Sequence, residues 1–127
     1  MRHTKDSRGE SMWDMVVELP GQINVSITKP LEKRGFHMHE HKVDHWLCVQ
    51  GDMAVIVAND LTDVRTSELH TMKAGDLMII PAGMWHAYQN IGDTNSILVY
   101  YETAKSGIDR SDDHELPLSM FKDWATQ

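Results

Sequence analysis

Apolar and polar residues alternate along much of this chain with a period of two. Over Gln22 to Thr28, Ile23, Val25 and Ile27 fall on one face and Gln22, Asn24, Ser26 and Thr28 on the other, the spacing of a strand with two chemically distinct sides. Phe36 to His39 alternates again and sets Phe36 and Met38 opposite His37 and His39. Asp44 to Gln50 reads as a buried strand. Gly51-Asp52 then turns the chain into a strand over Met53 to Ala58, and Asn59-Asp60 closes it as a hairpin turn. Further strands are expected over Leu69 to Met72, Leu77 to Ile80, His86 to Asn90 and Ile97 to Tyr101, punctuated by Gly75, Pro81-Ala82-Gly83 and Gly92-Asp93. Helical spacing is confined to a short stretch from Pro117 to Trp124. Short strands separated by turns in this way predict an all-β sandwich or barrel, with a jelly roll as the expected form. Met1 to Lys5 and Thr126-Gln127 carry no pattern and are expected to fray or to dock on a partner subunit.

The 127 residues fit one domain over 1–127, with a core across about 20–103 and a C-terminal tail over 104–127. A chain with 41% hydrophobic and 24% charged residues has globular composition, which excludes a disordered chain. The longest apolar run, Met53 to Ala58, falls far short of the ~20 residues a membrane span needs. A net charge of −7 argues against nucleic acid as a partner, because displacing its counterions takes an excess of Lys and Arg. Lys29, Lys33 and Arg34 form a weakly positive patch whose plain reading is a solvated turn. Met1 to Asp6 includes no apolar leader, and the single cysteine, Cys48, allows no intrachain disulfide. The expected address is cytoplasmic.

The histidines sharpen this picture: the chain has eight, and four lie within residues 37–45. His37 and His39 are two apart on a strand, so both imidazoles point to one face. Asp44 follows, Gly51 ends the next strand, and Gly75, Pro81, Gly83, His86 and Asn90 come later. This arrangement resembles the cupin superfamily. The second cupin motif, Gly-x5-Pro-x-Gly-x2-His-x3-Asn, is matched at every fixed position, from Gly75 to Asn90. The first, His-x-His-x(3,4)-Glu-x6-Gly, is matched by His37, His39 and Gly51, with Asp44 where Glu is expected. The resemblance implies a double-stranded β-helix. It also implies a site of His37, His39, Asp44 and His86, which in many cupins holds one metal ion. Imidazoles and a carboxylate suit Fe, Ni, Zn, Cu or Mn, although Asp44 reaches one methylene less far than Glu. The same residues also line cupin barrels that hold no metal.

A second resemblance rests on order and spacing. Gln22-Ile23-Asn24-Val25-Ser26 followed by Lys33-Arg34-Gly35-Phe36-His37 is similar to a stretch of the dTDP-4-dehydrorhamnose 3,5-epimerases. Arg34 to His39 also resembles the Arg-Gly-Phe-His-x-His of the dTDP-4-oxo-sugar 3,4-ketoisomerases. Asp6-Ser7-Arg8-Gly9 and Tyr100-Tyr101-Glu102-Thr103 extend the likeness, faintly continued by Asp123-Trp124. Those enzymes remove a proton α to a carbonyl and return it from another direction. The likeness implies His37 as base, Tyr100 as acid, and Arg34, Gln22 and Asn24 as contacts to a nucleotide-linked keto-sugar. A histidine has the right basicity for that removal, and an arginine suits a diphosphate. The epimerases supply a lysine to the enolate oxygen where this chain has Asp44, which leaves His86, His39 or a metal for that task. The carboxylate that orients the family's histidine has no aligned counterpart, and Asp112 and Asp113 are the candidates.

Three readings follow. The leading one is a carbohydrate isomerase or epimerase that needs no cofactor. A second is a metal-dependent dioxygenase or lyase with His37, His39, Asp44 and His86 as ligands, which uses His37 as a ligand and not as a free base. A third is a non-catalytic module that binds a sugar or another small molecule. Trp85 stands beside His86 and could wall the pocket as a substrate contact, while Met78 and Met84 read as packing. Trp46 and Cys48 share the Asp44 face and are expected along the cavity, His41 is expected at the surface, and His45 in the core or an interface. A homodimer joined through edge strands is the expected assembly.

Overall fold

The structure, a computed structural model, describes residues 2–16, 20–59, 67–104 and 113–116. Eleven strands make up its regular structure: β1 (Arg2–Asp6), β2 (Gly9–Trp13), β3 (Gln22–Thr28), β4 (Lys33–His39), β5 (Asp44–Gln50), β6 (Asp52–Ala58), β7 (Ser67–Lys73), β8 (Leu77–Ile80), β9 (Trp85–Asn90), β10 (Ser96–Glu102) and β11 (Asp113–Glu115). Each of the eight strands expected from alternation is present, three with the expected ends and the others longer by one to three residues at an end. The hairpin of β6 and β7 forms, with Ala58 opposite Ser67, and residues 60–66 between them lie outside the described residues. The Pro117 to Trp124 stretch, Asp112 and Asp123-Trp124 also lie outside them.

β1 corrects the expectation of a frayed N-terminus. Arg2 to Asp6 pairs along its whole length with β2, while all five side chains stay exposed. An edge strand with both faces in water carries no apolar alternation, so periodicity passes it by. β11 belongs to the expected tail, yet it is hydrogen-bonded into a sheet beside β4.

The strands form two sheets, ordered β1-β2-β3-β10-β5-β8 and β11-β4-β9-β6-β7, and among the described residues every pairing is antiparallel, mostly between strands distant in sequence. This is the jelly roll. Trp46, Cys48 and Leu98 from the first sheet meet Met53, Val55 and Tyr88 from the second between the layers. Phe36, Ile56, Ala58 and Ala87 form a smaller cluster on the opposite face of the five-stranded sheet, with Trp85 and Leu116 against it. On β3 the polar side is the inner one: Asn24, Ser26 and Thr28 are buried, while Ile23 and Ile27 are only partly so. Interior and exterior residues alternate along the strands of a closed β structure, and on β3 the polar half of the alternation faces the lumen.

β4 does not run straight. Its register against β9 shifts between Gly35 and His37, and both Gly35 and Phe36 take positive φ, 111° and 59°. Arg34 lies opposite Tyr88 and His37 lies opposite His86. Arg34 and His37 are three residues apart and would fall on opposite faces of a regular strand. The extra residue turns both inward and sends Phe36 out to the second cluster. An added Cβ on Gly35 would stand 2.8 Å from Ala87 Cα, so glycine is required at this position.

Candidate active site

Motif residues brace the site before they serve it. Asn90, fully buried, donates from Nδ2 to Thr28 O at 2.9 Å and to Thr94 O at 2.8 Å, and its Oδ1 accepts from Gly92 N at 2.9 Å. Gly83 N donates to His39 O at 2.7 Å, tying the second motif to the first.

Of the residues singled out from sequence, Arg34, His37, His39, Asp44, His86 and Tyr100 line one cavity of about 390 Å³. Trp46 lines it as well. Gln22, Asn24, Trp85 and Cys48 do not. Gln22 Nε2 donates to Asn24 Oδ1 at 2.8 Å, which also accepts from Asp14 N, so this pair supports the end of β2. Trp85 alternates with His86 and therefore faces the outer cluster. Cys48 is buried in the main core. His45, expected in the core or an interface, is exposed on the outer side of β5 because Asp44 and Trp46 take the inner positions, and His41 is exposed as expected.

His39, Asp44 and His86 each offer one donor atom, all within 4.8 Å of one another. His86 Nδ1 lies 3.2 Å from Met84 O and His39 Nδ1 2.9 Å from Asp113 Oδ1. Each ring thus directs its proton outward and Nε2 inward. Nε2 of His86 is 3.4 Å from Asp44 Oδ2, and Nε2 of His39 is 3.8 Å from Asp44 Oδ1. Asp44 Oδ1 is buried and has no hydrogen-bond partner among the described residues, whereas Oδ2 accepts from Trp46 Nε1 at 3.2 Å. Acceptor atoms that converge in this way, one of them orphaned, fit a cation. Ligands about 2.1 Å from a metal sit ~3.0–3.5 Å from their neighbours, which is close to the spacing here. Burial raises the pKa of Asp44, opposed by His39 and the Trp46 bond. Burial, and then the charge of His39, lowers His86 to about 4.

His37 stands apart from this triad. Its ring meets that of His86 edge-on with centroids 6.3 Å apart, and its Nε2 is 3.5 Å from Glu115 Oε1. Crowding by the protein lowers its pKa, and His86 lowers it further, so the imidazole is neutral at pH 7. With 41% of its side chain accessible, solvent tempers that shift without reversing it. Tyr100 is pushed well above its usual value by burial first and by the charge of Glu102 second, so its phenol keeps its proton. Arg34 donates from Nε to Thr28 Oγ1 at 2.7 Å and from Nη2 to the carbonyls of Ile27 and Glu10 at 3.3 and 3.4 Å. The supposed solvated turn thus carries an arginine built into the cavity wall.

Three carboxylates went unassigned from sequence or were assigned elsewhere. Glu102, on β10 opposite Asp44, places Oε1 3.9 Å from His39 Nε2. Asp113 bonds His39, not His37, and also pairs with Lys42, whose side chain is buried. Glu115 takes the place beside His37. Alternation from Tyr100 puts Glu102 on the same face as Tyr100 and Leu98, so a strand read one residue past Tyr101 would have found it. Nothing in the sequence announces β11.

A protein from Haloferax volcanii described as a probable low-salt glycan biosynthesis epimerase, Agl13, is 32% identical over 113 residues, covering 84% of this chain and 72% of its own. The Bacillus subtilis spore coat polysaccharide biosynthesis protein SpsL is 28% identical over 102 residues, covering 76% and 68%. The solved capsular polysaccharide assembling protein CapF from Staphylococcus aureus superposes with a TM-score of 0.74 at 24% identity, over 91% of this chain but only 34% of that one, a likeness of fold. A family described as the polysaccharide biosynthesis C-terminal domain matches residues 4–113, from the first strand to the last. The chain therefore belongs to the polysaccharide biosynthesis C-terminal domain family, built on the cupin jelly roll.

Proposed function

We propose that this protein is a carbohydrate-modifying enzyme of the epimerase or isomerase class, acting on a nucleotide-linked keto-sugar by proton transfer α to the carbonyl. The observation that carries the reading is the division of the histidines. A neutral His37 and a protonated Tyr100 share one cavity with a cation-type triad that does not use His37. Base and ligand set therefore do not compete for one residue. The cavity is of small-molecule size, and the epimerase named among its relatives points to sugars.

In this reading His37 takes the proton from the carbon next to the carbonyl, and Glu115 steadies the imidazolium that results. The C–H electron pair moves toward the carbonyl oxygen and an enolate forms. Tyr100 donates its proton to that carbon from the other side, completing epimerisation without net oxidation, and the proton held by His37 passes through solvent to restore the Tyr100 phenol. A divalent metal held by His39, Asp44 and His86 would polarise the carbonyl oxygen when bound. Arg34, on the same wall, offers positive charge to an anionic part of the substrate.

The test is exchange of the α proton of a dTDP-linked 4-keto-6-deoxyhexose into deuterated water, followed by NMR. The expected result is exchange in the wild type and its loss in His37→Ala, with metal content unchanged. The triad also favours a second reading, a metal-dependent dioxygenase or lyase. Oxygen-dependent turnover without proton exchange would select it and overturn the first.

A further inference from the structure

A chain of hydroxyl groups runs behind the Tyr100 phenol. Arg34 Nε donates to Thr28 Oγ1 at 2.7 Å, and Thr28 Oγ1 lies 3.0 Å from the Tyr88 hydroxyl. Ser26 hydrogen-bonds to both the Tyr88 and the Tyr100 phenols, and its Oγ stands 3.2 Å from Ser11 Oγ. Three strands bring these groups together: Ser26 and Thr28 come from β3, Tyr88 from β9 and Tyr100 from β10. Ser11, Ser26, Thr28 and Tyr88 are buried, and Arg34, Tyr88, Ser26 and Tyr100 all line the cavity. The arginine sets the direction of the chain. A guanidinium only donates, so Thr28 accepts from Arg34 and turns its own proton to Tyr88, the orientation that a positive charge at that end favours. Tyr88 then donates to Ser26, and Ser26 to the Tyr100 oxygen.

We propose that Ser26 is a positioning residue for Tyr100: at the end of a hydroxyl chain oriented by Arg34 it donates to the phenol oxygen, leaves the Tyr100 proton aimed into the cavity, and stabilises the phenolate that remains once that proton is given up. The inference rests on the reading of Tyr100 as the acid of a keto-sugar reaction. Its physical ground is charge. Burial opposes ionisation of Tyr100 most, and Glu102 on the same strand, Tyr88 on β9 and Asp44 on β5 oppose it further, whereas the bond from Ser26 favours it. Tyr88 is also raised by burial, but Thr28, Arg34, Ser26 and Arg8 all pull it the other way. Buried hydrogen bonds in a row polarise one another, each donor strengthened by the donor behind it. The chain thus passes the influence of the Arg34 charge from one phenol to the next. Each hydroxyl keeps its own proton, and the Tyr100 phenolate is re-protonated from solvent.

The test separates the two proton transfers. With a dTDP-linked 4-keto-6-deoxyhexose in deuterated water, loss of the α proton reports removal by His37, and the inverted product reports return by Tyr100; NMR reads both. In Ser26→Ala, formation of the inverted product is expected to fall about 10–100-fold, the contribution of one hydrogen bond to a charged group, while loss of the α proton stays close to the wild-type rate. Ser26→Thr, which keeps the hydroxyl, is expected to restore the product. Equal loss of both transfers, or an unchanged yield of inverted product, would overturn the proposal. A second measurement needs no substrate. In protein labelled with 13C at tyrosine Cζ, with Tyr100 assigned through Tyr100→Phe, Thr28→Val cuts the chain from Arg34 and is expected to move the Tyr100 resonance, whereas Thr28→Ser leaves it in place. A Tyr100 resonance indifferent to Thr28→Val would refute the chain. A wild type that exchanges no α proton would overturn the keto-sugar reading itself, and with it Tyr100 as acid, whatever the tyrosine signals show.

Discussion

Replacing Gly35 by alanine probes the bend that aims both Arg34 and His37 into the cavity. Gly35 has φ of 111°, where a side chain costs about 1–3 kcal/mol. The new Cβ would also stand 2.8 Å from Ala87 Cα and 2.9 Å from His86 O. These are backbone atoms of the adjoining strand and cannot rotate aside. Relief means parting β4 from β9 locally and weakening one or two ladder hydrogen bonds, about another 1–2 kcal/mol. The total, ~2–5 kcal/mol, is a large share of the 5–15 kcal/mol that holds a typical domain together. In a domain of this size it lowers Tm by about 6–20 °C. Gly75 supplies the control, with φ of 96° and nothing within 4 Å of an added Cβ. Gly75→Ala is expected to cost the backbone part alone, about 1–2 kcal/mol. Urea denaturation of the two variants, read by circular dichroism, measures the difference. Equal losses would show that the approach of β9 is not what demands glycine at position 35, and the account of the bend would fail.

Three further outcomes are expected. In chelator-treated protein, His86 stays neutral down to about pH 4, whereas its unfolded value is 6.5. The unfolded chain therefore binds the extra proton, and stability present above the unfolded value is lost as pH falls toward 4, by ~3 kcal/mol at 1.36 kcal/mol per unit. Asp44, raised by burial, opposes this at the acid end, and the same pH slope in wild type and His86→Gln would refute the assignment. Asp113→Asn replaces the acceptor on His39 Nδ1 and should weaken zinc binding about 10–100-fold in a chelator competition; an unchanged affinity would remove Asp113 from the site's support. Asn90→Ala deletes three hydrogen bonds at a fully buried position. It should cost about 3 kcal/mol in urea denaturation, and a loss under ~1 kcal/mol would mean that this motif residue is not a brace.

Strands flanked by turn residues and alternating cleanly were legible in advance, because period-two burial is written into neighbouring residues. Asp44–Gln50 and Gln22–Thr28 have the ends their patterns suggest. β1 and β11 were not legible. β1 buries no side chain, and β11 is three residues long, held by pairing to β4 and by Asp113 and Glu115 reaching its histidines. Within the site, His37, His39, Asp44, His86 and Tyr100 were found through motif spacing, and all line the cavity. Trp85 was placed there by proximity in sequence to His86, which in a strand is a reason to expect the opposite face.

Sequence alone determined the class of fold, the motif residues and their faces, since these depend on local spacing, glycine and proline turns, and side-chain chemistry. Only tertiary structure decided which polar face became the lumen, which carboxylate met which histidine, and that His37 lies outside the triad. Those outcomes depend on strands far apart in sequence: β4 against β9 and β11, and β5 against β10. A bulge of one residue reverses every face beyond it. Register across distant strands is settled by the packing of the whole molecule, and no window along the chain contains it.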